Sequence, residues 1–296
     1  MSINSIRIVS VPFLFFACVA LAQDVAELVK KGQKAMMEED FKTALVIFSK
    51  VIELDPKNAQ AYGSRGTCNS VSGKPEEALA DFKKAIELNP KEATFYNDRA
   101  NTYAGMNKLA EAIADYTKAI DLDPRYVRAF VNRGISRADA EKHAEAIEDF
   151  NSALKLDPKD ASAYYNRGLS YGLTNRYQEA IQDFSKALDL EPKEAIVYKD
   201  RGVVYHELKK YGEAIADYTR AIEITPNFAE AWFNRGLSHF ELKKYAEAIR
   251  DYSKTIELDA TLVQPYRSRA EAYMAIGKQK EAEADLAKAK QLEKSN

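Results

Sequence analysis

Proline recurs at one fixed interval, and no other feature of this sequence restricts its fold so tightly. Pro56, Pro90, Pro124, Pro158, Pro192 and Pro226 stand 34 residues apart, and Ala260 takes the next step. An interval of that length marks a supersecondary unit repeated along the chain rather than one globular core. Counting from the prolines places the units at 25–58, 59–92, 93–126, 127–160, 161–194, 195–228, 229–262 and 263–296. The eight units fill residues 25–296 without a gap, so no second domain is expected among them.

The same offsets recur inside each unit. The fourth position is Leu28, Tyr62, Tyr96, Phe130, Tyr164, Tyr198, Trp232 and Tyr266. The eighth is Gly32, Gly66, Ala100, Gly134, Gly168, Gly202, Gly236 and Ala270, and the twentieth is alanine throughout, from Ala44 to Ala282. Four residues beyond that alanine come Phe48, Phe82, Tyr116, Phe150, Phe184, Tyr218, Tyr252 and Leu286. Apolar residues at steps of three and four predict two short amphipathic helices per unit. The small positions let those helices approach, and the aromatic ones fill the space beside the contact. Proline then stops the second helix, since it lacks an N–H and restricts the residue before it.

Eight units in unbroken register resemble the tetratricopeptide repeat family over all of residues 25–296. The resemblance implies an all-α fold, a right-handed α-solenoid of helix-turn-helix units. Such units cannot bury their apolar faces alone and must stack on their neighbours. The last unit carries Glu283 and Lys290 where the others are apolar, as a terminal cap requires. Arginine at the seventh position (Arg65, Arg99, Arg133, Arg167, Arg201, Arg235, Arg269) accompanies aspartate at the twenty-third (Asp81, Asp115, Asp149, Asp183, Asp217, Asp251, Asp285). Unit one has Lys31 and Ile47 instead. Joint presence and joint absence predict a helix-to-helix ion pair; a charged stripe for a ligand is the alternative.

Residues 1–22 differ from the rest. Arg7 is their one charged side chain, and an apolar run from Ile8 to Ala22 ends Ala20-Leu21-Ala22. A positive start, a short apolar stretch and small residues two apart are the marks of a signal peptide. Cleavage is expected after Ala22, placing the mature chain in the periplasm or outside the cell. An uncleaved anchor and lipidation at Cys18 are the other readings, and they are the only route to a membrane expected here. Removal of the leader leaves one cysteine, Cys68, expected to act as a small buried apolar residue.

Chemistry leaves little trace. His143, His206 and His239 fall at three different repeat positions without partners at metal-ligand spacing. No phosphate-cradling loop or nucleophile elbow appears. No catalytic residue, metal or cofactor is therefore expected, and the formal net charge of -2 argues against nucleic acid as a partner.

The expected function is a non-enzymatic scaffold that binds a protein or peptide, neutral to mildly basic. A self-associating architectural component of an envelope complex is the alternative. The resemblance implies a concave groove built from the first helix of each unit. Its sixth positions include Asn132, Asn166 and Asn234, which can pair with a peptide backbone. Asp98 and Asp200 interrupt that series. The later units place Tyr165, Leu169, Phe233, Leu237 and Phe240 on the same wall, either as partner contacts or as packing between neighbours. The groove positions hold the acids Asp98, Asp139, Asp200, Glu207, Glu230, Glu241 and Glu271 against Lys30, Arg128, Lys199 and Arg267. No three units supply the lysines, arginine and asparagines that chaperone adaptors of the family use to clamp a carboxylate.

Overall fold

The computed structural model describes the backbone of residues 11–295 and the side chains of 23–294. The expected leader and Cys18 fall outside the described side chains. The described residues form sixteen α-helices and no strand. They divide into two compact units, one ending at Ala140 and the other starting at Glu141.

The first unit holds α1 (Val11–Met37), α2 (Phe41–Leu54), α3 (Ala59–Val71), α4 (Pro75–Leu88), α5 (Ala93–Gly105), α6 (Leu109–Leu122) and α7 (Val127–Asp139). The second holds α8 (His143–Leu156), α9 (Ala161–Leu173), α10 (Tyr177–Leu190), α11 (Ala195–Glu207), α12 (Tyr211–Ile224), α13 (Ala229–Glu241), α14 (Tyr245–Leu258), α15 (Val263–Ala275) and α16 (Gln279–Ser295). Helix α1 begins well ahead of Val25 and continues through the expected cleavage point. No helix among the described residues is long and apolar enough to cross a membrane.

The six prolines all lie in the turns between a second helix and the next first helix. Helix α6 stops at Leu122, and Asp123 behind it accepts a hydrogen bond from the Arg125 N–H at 3.0 Å, bridging Pro124. The same bridge recurs at Asp55 and Asp157, and at Asp259 it spans Ala260. The fourth-position aromatics brace these turns. Trp232 donates from Nε1 to the Pro226 carbonyl at 2.9 Å, and the Tyr96 hydroxyl donates to the Pro90 carbonyl at 3.2 Å.

The hairpins close on the small eighth position. A Cβ built on Gly202 would lie 2.7 Å from the ring of Tyr218, and one on Gly236 would lie 2.6 Å from Tyr252. Gly32, Gly66 and Gly168 face Phe48, Phe82 and Phe184 in the same way. The twentieth-position alanines are fully buried beside these rings.

The turn inside each hairpin hinges on the fifteenth position. Gly73 and Gly277 hold it with φ of 73° and 74°. Glu39, Asn107, Glu141, Asn175, Lys209 and Lys243 hold it with φ between 58° and 61°. A left-handed residue is needed there to reverse the chain out of the first helix, whatever side chain it carries.

Candidate functional site: the wall of first helices

Successive first helices touch one another within each unit: α1 with α3, α3 with α5 and α5 with α7, then α9 with α11, α11 with α13 and α13 with α15. Among the described residues, second helices touch only first helices. The first helices therefore line the inner wall of each unit, where the groove was expected.

The wall of the first unit is a hydrogen-bonded polar surface. The Asn132 carboxamide donates to Oδ1 of Asn101 at 3.0 Å and of Asn97 at 3.4 Å. The Tyr116 hydroxyl donates to the same Asn101 oxygen at 2.6 Å. Asn97, fully buried, donates to Asp98 at 3.0 Å, and Thr102 donates to Ser70 at 3.0 Å. Burial pushes the Asp98 carboxyl above the ordinary aspartate range, against the opposing bond from Asn97 and the charge of Arg128. Each polar group here already has a partner, so a ligand would have to displace one.

The second unit presents a more apolar wall. Tyr165 and Phe233, both at the fifth position, tilt over the rings of Phe184 and Tyr252 with centroids 6.0 and 5.7 Å apart. Both are half-buried, so each packs on its own hairpin and still offers a face to solvent. The Tyr165 hydroxyl donates to Asp200 at 2.9 Å; burial and the Asp200 charge raise its pKa far above the usual phenol range. Lys199 pairs with Asp200 at 2.6 Å and reaches Glu230 at 3.6 Å. Leu237 and Phe240 pack with Phe233 against the buried cluster of Ala248, Tyr252 and Ala272. Phe240 also meets Tyr245 edge-on at 5.3 Å.

A cleft of about 340 Å³ opens between α9, α10 and α11, walled by Leu169, Leu173, Tyr177, Phe184, Val203 and Val204. Asp200 and Glu207 stand at its edge. Leu173, 69% exposed, was not singled out from sequence. Its signal is the thirteenth position, which is a carboxylate in the units around it (Asp139, Glu207, Glu241) and apolar here.

The three asparagines do not act alike. Asn132 bonds across to α5 as described. Asn166 folds back on α9, donating to the Ser162 carbonyl at 2.8 Å and to its hydroxyl at 3.2 Å. The Asn234 carboxamide has no partner among the described residues.

The arginines do form ion pairs. Arg65, Arg99, Arg167, Arg201, Arg235 and Arg269 each bind both carboxylate oxygens of the aspartate sixteen residues on, at 2.6 to 2.9 Å. Each also lies over the fourth-position aromatic of its own repeat, closest at Trp232, 4.6 Å away. Sequence reasoning missed the third arm. Nη1 reaches back to the twenty-fifth position of the preceding repeat: Arg65 to Ser49, Arg133 to Thr117, Arg167 to Asn151, Arg201 to Ser185, Arg235 to Thr219 and Arg269 to Ser253. Lys83 occupies that place before Arg99 and offers no acceptor.

The tetratricopeptide repeat model matches residues 59–92, 93–126, 161–194 and 229–262. A second TPR repeat model matches 136–175 and 202–243. The chain belongs to the tetratricopeptide repeat family. It is an all-α repeat solenoid of eight helix pairs.

Solved tetratricopeptide structures resemble it. MamA is 27% identical over 58% of this chain and 94% of its own, with a TM-score of 0.54. YrrB, described as a TPR protein with an unusual peptide-binding site, is 26% identical over 62% of this chain and 95% of its own, also at 0.54. A tetratricopeptide repeat protein of Parabacteroides merdae shares the fold at 21% identity over 85% and 99%, with a TM-score of 0.61. No curated protein sequence matches the chain.

Tetratricopeptide repeats generally serve as non-enzymatic scaffolds that bind protein or peptide partners. In this chain the Arg–Asp pairs belong to the scaffolding. The apolar wall residues Tyr165, Leu169, Phe233, Leu237 and Phe240 of the second unit are half-buried and have no part in those pairs.

Proposed function

We propose that this tetratricopeptide chain is an exported, non-enzymatic scaffold that holds a protein segment against the inner wall of its second unit. The observation carrying this reading is the run of half-exposed apolar side chains along the wall: those of α9 and α11 line an open cleft, and Phe233, Leu237 and Phe240 of α13 continue the apolar surface beside it. Apolar surface gathered in a concavity is where a soluble protein meets a partner. The peptide-binding site ascribed to YrrB supports the mode. Export rests on the leader-like residues 1–22, and the mature chain would start at Gln23. The wall favours a neutral to mildly basic segment, because its acids outnumber its bases.

Crosslinking capture with the purified protein tests the reading. Replacing Leu237 and Phe240 together by serine should abolish recovery of the partner while the helical circular-dichroism spectrum is kept. Unchanged recovery would move the site off this wall.

A further inference from the structure

The second-unit wall carries two cations, and both are already paired: Lys199 with Asp200 and Glu230, Arg267 with Glu293. Its carboxylates are not all matched in return. Glu207 and Glu271 have no hydrogen-bond or ion-pair partner among the described residues, and Glu241 only accepts a long 3.4 Å bond from the Tyr211 hydroxyl. The lysines that follow, Lys209, Lys210, Lys243 and Lys244, stand in or beside the turns beyond the ends of α11 and α13. Glu207 borders the apolar cleft, two helical turns or about 10 Å along α11 from Asp200. Asp200 is held by Lys199 and Tyr165, so Glu207 is the edge carboxylate that still lacks a counter-charge.

We propose that this cleft seats a bulky aliphatic or aromatic side chain of a partner segment whose adjacent lysine or arginine is held by Glu207, with Glu241 receiving the next cation. The inference rests on the inner-wall reading above and narrows the partner to a cationic, apolar peptide segment. Charge complementarity selects such a segment over a neutral or acidic one. Leu173 and Val203 supply the apolar contact, and the carboxylates set the sign.

The test uses the purified protein and a short fluorescein-labelled peptide of leucine and lysine, read by anisotropy at low and high salt. Companion peptides replace every lysine by glutamine or by glutamate. The leucine–lysine peptide should bind best. Glu207→Gln with Glu241→Gln should weaken it roughly fivefold per carboxylate and flatten its salt dependence. Leu173→Ser should weaken it about tenfold at either salt, with the thermal midpoint kept because Leu173 is exposed.

Equal binding of the leucine–glutamine peptide, with no effect of the carboxylate changes, would overturn the cation preference while leaving the wall as a docking face. Binding indifferent to Leu173→Ser would overturn the cleft. So would a concentration-dependent dimer abolished by Leu173→Ser, since a second copy would then fill it. If no peptide binds, this inference fails, and crosslinking capture with the Leu237 and Phe240 variant still decides the broader reading separately.

Discussion

His239 stands where other repeats carry Tyr103, Tyr171, Tyr205 and Tyr273, and its ring is largely buried. Its Nε2 lies 3.9 Å from Asp251, while its buried Nδ1 has no hydrogen-bond partner among the described residues. Burial holds its pKa below the ordinary value, outweighing the pull of Asp251 and aided by Arg235. The sign follows from linkage. The unfolded ring takes up a proton near pH 6.5, before the folded one does, so acid favours the unfolded chain. Stability should be intact above pH 6.5 and fall as pH drops towards the folded value, by at most about 1.4 kcal/mol per unit from this group. Urea midpoints at several pH values check this. His239→Tyr should flatten that part of the profile, and an unchanged slope would assign it elsewhere. Cys68 shows the same physics in a thiol. It is fully buried, and desolvation pushes its pKa up to about 11, so it is inert at neutral pH while the fold is closed.

The hairpin is the element at which sequence and structure agree most closely. Glycine at the eighth position and an aromatic sixteen residues later were legible because one residue type serves one contact in nearly every copy. Gly202→Ala should therefore cost about 1–3 kcal/mol, as its methyl would overlap the Tyr218 ring. A thermal midpoint equal to that of the parent would contradict the packing. The turn was illegible for the opposite reason. A left-handed backbone is common to all the hairpins, yet only Gly73, Gly277, Asn107 and Asn175 advertise it, while Lys209, Lys243, Glu39 and Glu141 adopt it with no local signal. Lys243→Gly should raise stability by about 1 kcal/mol by relieving its Cβ, as the same thermal melts would show. The third arm of the arginines other than Arg99 was hidden similarly, because Ser, Thr and Asn share an acceptor but no obvious pattern. On the wall, repeat spacing could place Asn166 and Tyr165, but only side-chain geometry shows Asn166 bonded to its own helix and Tyr165 bonded to Asp200.

At the scale of the whole molecule, stability accumulates from each repeat and its contact with the next. Repeat one contributes no arginine–aspartate pair; Lys31 bonds Glu27 at the surface instead. What ties it to repeat two is the Arg65 bond to Ser49, 3.3 Å, and the apolar cluster of Val25, Phe48, Val51 and Cys68. Fraying of repeat one would uncover Cys68. Ser49→Ala should therefore speed thiol labelling of Cys68 roughly 2- to 10-fold, the rate equivalent of one lost hydrogen bond. The global unfolding midpoint should hardly move, and an unaltered labelling rate would mean that repeat one is held by other contacts. The backward reach of the arginines has one more consequence. Each of repeats three to seven presents a hydroxyl or amide socket to the repeat that follows and brings its own arginine plug for the one before. A duplicated unit inserted at almost any joint would find both halves waiting, so the array can lengthen by copying. The joint after Lys83 is the exception, where the socket is filled by a charge that matches the plug.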